Sequence, residues 1–293
     1  MRELIQITSQ FNRMHIDYVI LKGIPLNALL HGEKLGRVSR DIDVLIHVTD
    51  IQTVHHYLLT QGYQLQSAIS IAALTQELSW LTQYMDEVLY WHPDKNIYLD
   101  VKWHISSLNR LDMSWCDIKN HAVEFINEYP ICTLNSVQNF YYLTVHAAKH
   151  RWELRQWLED LAIFSQKTPI CWESVCLLAQ KTQSIRSLLE ANLLLQRHFN
   201  IHLRDIPHSC WDRVWVKIRM YVIQSKWFGG LSKKSKINTC ISCFLDLLLY
   251  PKVSQKYHYM RRILILRVAS LNQISRFKTP KFYKLVLLSF WPF

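Results

Sequence analysis

Arg40-Asp41-Ile42-Asp43-Val44-Leu45-Ile46 is the stretch that decides the fold of this chain, because it reads as a short apolar strand that begins with two carboxylates. Successive strand residues point to opposite faces of a sheet, so Asp41 and Asp43 share one face while Ile42 and Val44 point into the core. Two like charges this close repel each other, and a cation normally compensates them. Converging carboxylate oxygens suit Mg²⁺, which takes its remaining ligands from water and substrate phosphates. The stretch therefore predicts a metal site for phosphoryl or nucleotidyl transfer.

An Asp-x-Asp pair at a strand edge is also a common solvated surface feature, and its neighbours favour the metal interpretation. Lys22-Gly23 closes an apolar strand at residues 18–21. Pro25 suits the first turn of a helix, which places Gly23 at a strand-to-helix turn. Free N–H groups at such a turn can face phosphate.

Further charged residues extend this pattern on both sides of the pair. Arg37 and Arg40 flank the carboxylates, as an anionic substrate requires. A third acid, Asp100, lies in another strand-like run at residues 97–104. We predict that Asp100 converges with the first two carboxylates on one sheet.

These residues carry a family resemblance. Leu-Lys-Gly at 21–23, a spacer and Arg-x-Ser-x-Asp-Ile-Asp at 37–43 resemble the polymerase-β-type nucleotidyltransferase superfamily, and more narrowly the bacterial uncharacterised nucleotidyltransferase family proteins. Leu-Asp-Val-Lys-Trp at 99–103 and the helical segment 146–161 resemble two further signatures of that group. The resemblance covers roughly residues 15–165.

The resemblance implies an α+β fold and transfer of an NMP from an NTP, with ATP as the expected nucleotide, to a hydroxyl acceptor. It implies Mg²⁺ as cofactor, with Mn²⁺ as the alternative. The implied catalytic and metal-binding residues hold one or two metals, with Asp100 completing the second site: Asp41, Asp43 and Asp100. The expected nucleotide-binding residues are Lys22, Gly23, Arg37, Ser39, Arg40, Lys149 and Arg151.

Two positions depart from the family pattern. The Gly-Ser of the superfamily is Gly23-Ile24 here, which removes a hydroxyl that would contact phosphate. Lys102 stands where the subgroup often has histidine, so the role of that histidine does not transfer to this chain.

His146 and His150 are four residues apart on one predicted helix face, a spacing that can bind metal. No glutamate lies between them, and packing is the favoured interpretation. A third interpretation has Lys149, His150, Arg151 and Arg155 lining the cleft and contacting phosphates.

Composition bounds the remaining possibilities. The 293 residues have ample apolar content for a core. The seven cysteines show no disulfide-like spacing and the N-terminus shows no secretory signal, which predicts a reducing cytoplasm. No run approaches the ~20 apolar residues of a membrane span.

Positive charge is concentrated in the last third of the chain. Residues 200–293 carry 17 Lys and Arg against 3 Asp and Glu. Such an imbalance suits RNA or, as a less favoured partner, an anionic membrane surface. Ordinary helix packing with solvated lysines ranks first among the three interpretations.

Periodicity predicts the organisation of the chain. A small mixed sheet with helices on one side is expected in a nucleotidyltransferase core at 1–130, and a helical domain at 131–293. Helices are predicted at 1–15, 24–31, 51–60, 136–150, 153–166, 171–182, 185–199, 211–226 and 237–250.

Two other classes of function compete with the enzyme. One is a non-catalytic nucleotide- or RNA-binding module, such as a degenerate nucleotidyltransferase or a toxin–antitoxin component. The other is a nucleic-acid-binding protein that acts through the basic third and does not need the acids. For the enzyme, the acceptor stays open between a small hydroxylated molecule, a protein side chain and an RNA end.

Overall fold

The computed structural model describes residues 1–32, 41–66, 82, 85–105, 115–118, 122–126, 129–203, 206–229 and 236–274. Seven strands lie within these ranges: β1 Tyr18–Ile20, β2 Asp41–Ile46, β3 Gln64–Leu65, β4 Glu87–His92, β5 Ile97–Lys102, β6 Ala122–Ile126 and β7 Tyr129–Thr133. The helices before the last strand are α1 Arg2–Arg13, α2 Ile24–His31, α3 Ile51–Thr60 and α4 Trp115–Ile118, with a short 3₁₀ turn at Val48–Asp50.

After β7 the described chain is helical. The helices are α5 Ser136–Lys149, α6 Arg155–Lys167, α7 Trp172–Lys181, α8 Ile185–Phe199, α9 Cys210–Gly229, α10 Lys236–Leu249 and α11 Val253–Ile274. A capping box starts α5, because the Asn135 side chain accepts a hydrogen bond from the Gln138 backbone N–H and the Gln138 side chain accepts one from Asn135.

The strands form one mixed sheet in the order β3-β4-β5-β2-β1-β7-β6. The pairs β2–β5 and β1–β7 are parallel, and the other neighbours are antiparallel. With the helical second half, this confirms the predicted α+β class and small mixed sheet.

Helices cover both faces of the sheet, so the expectation of helices on one side is wrong. On one face, Leu4 and Phe11 of α1 and Val54 of α3 pack with Val44 and Leu99. On the other face, side chains of α5 pack with inward residues of the central strands: Val19, Leu21, Leu45, Tyr141, Tyr142 and Val145. The alternating pleat of each strand supplies apolar residues to both layers.

A buried ion pair connects several helices of the second half of the chain. Arg219 of α9 donates to Glu190 of α8, to the carbonyl of Ala148 at 2.7 Å and to the carbonyl of Leu245 at 2.8 Å. Glu190 also accepts from the indole N–H of Trp152 at 3.1 Å. Since Arg219 and Glu190 are both buried, these contacts join α5, α8, α9 and α10 in one polar network within an apolar core.

The predicted helices after residue 135 agree with the observed ones to within a few residues, and α11 was not predicted. Strands β6 and β7 were also missed, because Pro130 lies inside β7 and proline argues against a strand. Here β7 pairs with β1 at a single position, Thr133, so Pro130 lies beyond that pairing. The division at residues 130 and 131 stays a prediction.

Part of the positive charge in the last third serves packing. Besides Arg219, Arg262 of α11 donates to Asp86, which lies just before β4. Among the described helices, none combines the length and apolarity that a membrane crossing requires.

We expect Arg219→Met to lower the free energy of unfolding by about 3–5 kcal/mol, because Glu190 is left as a buried unpaired charge. Urea denaturation followed by circular dichroism measures this. Lys217→Met, an exposed change on the same helix, should stay within about 0.5 kcal/mol of the wild type. The double variant Glu190→Leu/Arg219→Met should recover part of the loss, and equal losses in all three variants would contradict a specific role for the pair.

Candidate functional site

The pleat of the two central strands directs the acids toward α5. Val44 and Ile46 of β2 pack on the α1 and α3 side, whereas Leu45 packs on the α5 side. Asp43 is two residues from Leu45 and therefore shares its face. In β5, Leu99 and Val101 pack on the α1 and α3 side, so Asp100 and Lys102 also face α5.

The register of the sheet places Asp43 directly beside Asp100. Strands β2 and β5 are parallel neighbours, and Asp43 pairs with Asp100 in the ladder. The Asp43 side chain is only 3% exposed, while Asp41 at the start of β2 is 52% exposed. The structure thus brings together two predicted acids and leaves the third at the rim of the same strand.

Lys22 links the pair at the start of β2. Its Nζ atom lies 3.2 Å from Asp43 Oδ2 and 3.8 Å from Asp41 Oδ2. The next residue, Gly23, has φ of 71° and ψ of −125° and precedes the first residue of α2. Residues with a Cβ rarely adopt this conformation, so glycine is needed at the predicted strand-to-helix turn.

Lys102 lies among three carboxylates on the other side of Asp43. Its Nζ atom donates to Asp100 Oδ2 at 2.7 Å and to Glu87 Oε2, and lies 3.6 Å from Asp43 Oδ1. Only 8% of the Lys102 side chain is exposed. Glu87 reaches it because Glu87 and Lys102 pair across the β4–β5 hairpin.

A cavity of about 250 Å³ opens beside these charges. Strand residues form one wall and residues of α5 and α6 form the other. Its lining residues are Lys22, Asp43, Asp86, Glu87, Asp100, Lys102, His104, Ile105, Tyr142, His146, Lys149, His150 and Trp157.

Burial raises the pKa of two carboxyl groups in the site. Loss of solvent raises the pKa of Asp43, although Lys22 and Lys102 oppose this shift. Burial also raises the pKa of Asp100 to about 6, with Lys102 opposing the shift and the Glu87 and Asp43 charges adding to it. Asp100 is therefore a better proton acceptor than an ordinary aspartate.

The surroundings of Lys102 favour its charged form. Burial by itself lowers the pKa of Lys102, but the neighbouring Tyr142 and carboxylates outweigh burial and raise it. In turn, Lys102 and Lys149 outweigh the burial of Glu87 and lower its pKa. Lys102 and Glu87 are thus a charged pair.

An aromatic cluster forms the helical wall of the cavity. The His146 and His150 ring centroids are 4.7 Å apart, and they lie 5.3 and 5.4 Å from Trp157. Burial and the nearby lysines lower the pKa of both histidines, that of His150 to about 4. Two neutral, packed imidazoles agree with the favoured packing interpretation.

The other predicted residues differ in their relation to the cavity. Lys149 lines the cavity, but Arg151 is not among the lining residues and pairs with Asp246 at 3.2 Å and Glu153 at 3.7 Å. Arg155 also lies away from the cavity and pairs with Glu159 at 2.9 Å. Arg37, Ser39 and Arg40 lie outside the described residues.

Among the charged residues of the site, Asp86 and Glu87 were not predicted, and Lys102 was noted only as a departure from the family pattern. The predicted hairpin would have indicated the pairing of Glu87 with Lys102. Its turn at 93–96 pairs His92 with Ile97, and counting the same number of residues away from the turn on both strands pairs Glu87 with Lys102. Strand alternation then places Lys102 on the same face as Asp100.

The carboxylates suit one divalent cation by their chemistry. Asp43 Oδ2 is buried without a hydrogen-bond partner of normal geometry, and Asp41 supplies a second hard oxygen donor near it. No group of three His, Cys, Asp or Glu side chains is arranged as metal ligands within the ranges described above. Between Asp43 and Asp100 the nearby cation is Lys102.

Comparison with known proteins gives a family match. A family model described as uncharacterised nucleotidyltransferase matches residues 1–200, which include α1 to α8 and the whole sheet. A search of curated proteins gives no significant match.

Two solved structures are similar to this chain. The lincosamide antibiotic adenylyltransferase LnuA, bound to lincomycin, is 18% identical with a TM-score of 0.41, over 57% of this chain and 97% of its own. The antibiotic-resistance factor ANT(2'')-Ia is 14% identical with a TM-score of 0.43, over 64% of this chain and 94% of its own.

We expect Asp43→Asn to leave the metal-free melting temperature unchanged or higher. The change removes a buried charge and relieves its repulsion with Asp100, while Lys102 keeps two carboxylate partners. Differential scanning fluorimetry in EDTA measures this. Leu45→Ala, on the same strand face, should instead destabilise by about 2–5 kcal/mol, and a similar loss for Asp43→Asn would mark Asp43 as structural.

We expect His150→Gln to flatten the pH dependence of stability. The folded protein keeps His150 neutral down to about pH 4, whereas the unfolded chain takes up the proton near its ordinary pKa of 6.5. Stability is therefore complete above about pH 6.5 and falls as the pH drops toward about 4. Denaturant titrations across this range should show a shallower slope for His150→Gln than for the wild type, and an unchanged slope for the exposed control His56→Gln. Equal slopes for all three proteins would contradict a buried neutral His150.

Proposed function

The chain belongs to the uncharacterised nucleotidyltransferase family, and from this premise we propose that it moves an NMP from an NTP to a hydroxyl group of an acceptor. We propose ATP as the nucleotide and Mg²⁺ as the metal. The observation that carries the proposal is the pairing of Asp43 with Asp100 on neighbouring strands, beside Lys22 and the Gly23 turn.

The residues divide into a metal side and a phosphate side. Asp41 and Asp43 hold the divalent cation, which when bound neutralises charge on the triphosphate oxygens. Gly23 and Lys22 receive the phosphates at the start of α2. We assign Arg37, Ser39 and Arg40, which precede β2 in sequence, to the same triphosphate.

Asp100 acts on the acceptor. The acceptor hydroxyl oxygen attacks the α-phosphorus and forms a new P–O bond, while the bond from that phosphorus to the bridging oxygen breaks. Pyrophosphate leaves with the bonding electron pair, and the hydroxyl proton passes to Asp100. The raised pKa of Asp100 supports its role as the proton acceptor.

The aromatic wall of the cavity shapes the acceptor site. His146, His150 and Trp157 offer ring faces and neutral polar atoms opposite Asp100. An acceptor that carries a hydroxyl on an apolar or ring-shaped body fits these groups. The cavity of about 250 Å³ holds only the part of the acceptor near the hydroxyl if the acceptor is a macromolecule.

We expect the purified protein to transfer label from [α-³²P]ATP to an acceptor fraction of heat-inactivated cell lysate, in which the lysate's own kinases and transferases no longer act, and to transfer none from [γ-³²P]ATP. Only the α-phosphate stays with the transferred group, so this pair of substrates separates nucleotidyl transfer from phosphorylation. Asp43→Asn should reduce labelling by at least about a hundredfold, because it removes a charge that positions the metal and phosphates. Asp94→Asn, an exposed change in the β4–β5 turn, is the matched control.

The outcomes separate the classes of function. Label transferred from the γ-position contradicts nucleotidyl transfer. ATP binding in the presence of Mg²⁺ without any labelled product in the lysate favours the non-catalytic binding module. Labelling that survives Asp43→Asn at the level of Asp94→Asn contradicts the assigned site.

A further inference from the structure

Lys102 places a positive charge among the carboxylates that a two-metal arrangement would use. We propose that its ammonium group takes the place of a second divalent cation between Asp43 and Asp100, so that the protein uses one metal ion, held by Asp41 and Asp43. This inference rests on the proposed function and specifies its cofactor requirement.

The contacts of Lys102 match those of a cation that bridges carboxylates. The ammonium donates to Asp100 and Glu87 and lies 3.6 Å from Asp43 Oδ1. Asp43 and Asp100 are direct neighbours in the sheet, and Lys102 Nζ lies 3.6 Å from Asp43 Oδ1 and 2.7 Å from Asp100 Oδ2, so it already supplies the positive charge that an ion held by both would supply. A divalent ion added there meets a positive charge at close range, which opposes its binding.

The backbone holds Lys102 in this place. Lys102 follows Asp100 by two residues on β5, so its side chain leaves the sheet on the same face. Across the hairpin, Glu87 is its ladder partner. Displacing the ammonium leaves the buried Asp43 without one of its two cations, and burying an uncompensated charge is costly.

Lys22 differs from Lys102 in its exposure, its position relative to the strands and its hydrogen bonding. Its side chain is 23% exposed and it follows the end of β1 rather than lying within a strand. Its nearest carboxylate oxygen, Asp43 Oδ2, is an ion-pair partner at 3.2 Å without a well-aligned hydrogen bond. Lys22 can therefore move from Asp43 toward a phosphate when a metal binds at Asp41 and Asp43, whereas Lys102 is anchored by two donated hydrogen bonds.

A fixed ammonium also defines the role of Asp100. Lys102 orients Asp100 by a 2.7 Å hydrogen bond through Oδ2. The carboxylate then faces the acceptor as a base rather than as a metal ligand. In this arrangement Lys102 is a positioning residue that neutralises charge and fixes Asp100.

Metal counting tests the proposal without relying on turnover. Purified protein is dialysed to equilibrium against Mn²⁺ and the α,β-methylene analogue of ATP, which cannot release an NMP, and retained Mn²⁺ is counted by mass spectrometry. We expect one Mn²⁺ per chain in the wild type and one in Lys102→Arg, which keeps the cation. Lys102→Met should retain two, because it leaves three carboxylates without their ammonium.

The Mn²⁺ count of the Asp100→Asn variant provides a second test, which does not require Lys102→Met to fold. If Lys102 replaces the second ion, Asp100→Asn leaves the count at one. A wild-type count of two that falls to one in Asp100→Asn overturns the proposal and leaves the proposed function intact. A folded Lys102→Met protein that still retains one ion also overturns it.

Failure of the proposed function gives a different result. In that case the wild type retains neither Mn²⁺ nor the nucleotide analogue, and both the function and the inference fall. Retention of the analogue with two Mn²⁺ ions rejects only the replacement of the second ion by Lys102.

Discussion

Two neighbouring carboxylates, one of them buried, constrain the rest of this structure. Asp43 and Asp100 lie side by side on parallel strands, and the buried charge of Asp43 needs compensation that solvent does not supply. Lys102 compensates from within β5 and Lys22 from the end of β1. The opposite wall contributes Lys149 together with His146 and His150, whose rings are neutral. The site is thus a cluster of paired charges closed by an aromatic wall.

The fold was largely predictable because its helices have clear apolar periodicity and its central strands are short apolar runs. The helix at 185–199 was predicted with its observed ends, and α2 and α3 likewise. Strand β7 was not predicted, because proline argues against a strand and Pro130 lies within it. Proline is tolerated there because β7 pairs with β1 only at Thr133, beyond Pro130. Coverage of both faces of the sheet was missed because it depends on which helix packs against which layer, and periodicity does not encode this.

The candidate site was predictable to the level of residue types on strands. Strand alternation identified Asp41 and Asp43, but their unequal burial follows from the position of each along β2. The position of Lys102 among three carboxylates depends on two strand pairings. The β4–β5 hairpin could be predicted from the sequence, whereas the parallel pairing of β5 with β2 could not. Arg151 shows the limit most clearly, because its partner Asp246 comes from a helix far along the chain and no local pattern joins them.

The parallel pairing of β2 with β5 also has a consequence for how the chain reaches its native state. Parallel neighbours cannot be joined by a tight turn, so closing this ladder requires ordering a long intervening segment, which slows folding. Strand β5 carries both Asp100 and Lys102, so it pairs with β2 and meets Asp43 with a countercharge of its own. Closure of the sheet therefore does not have to wait for an ion from solution, and a nascent chain can complete its core before any nucleotide or metal is available.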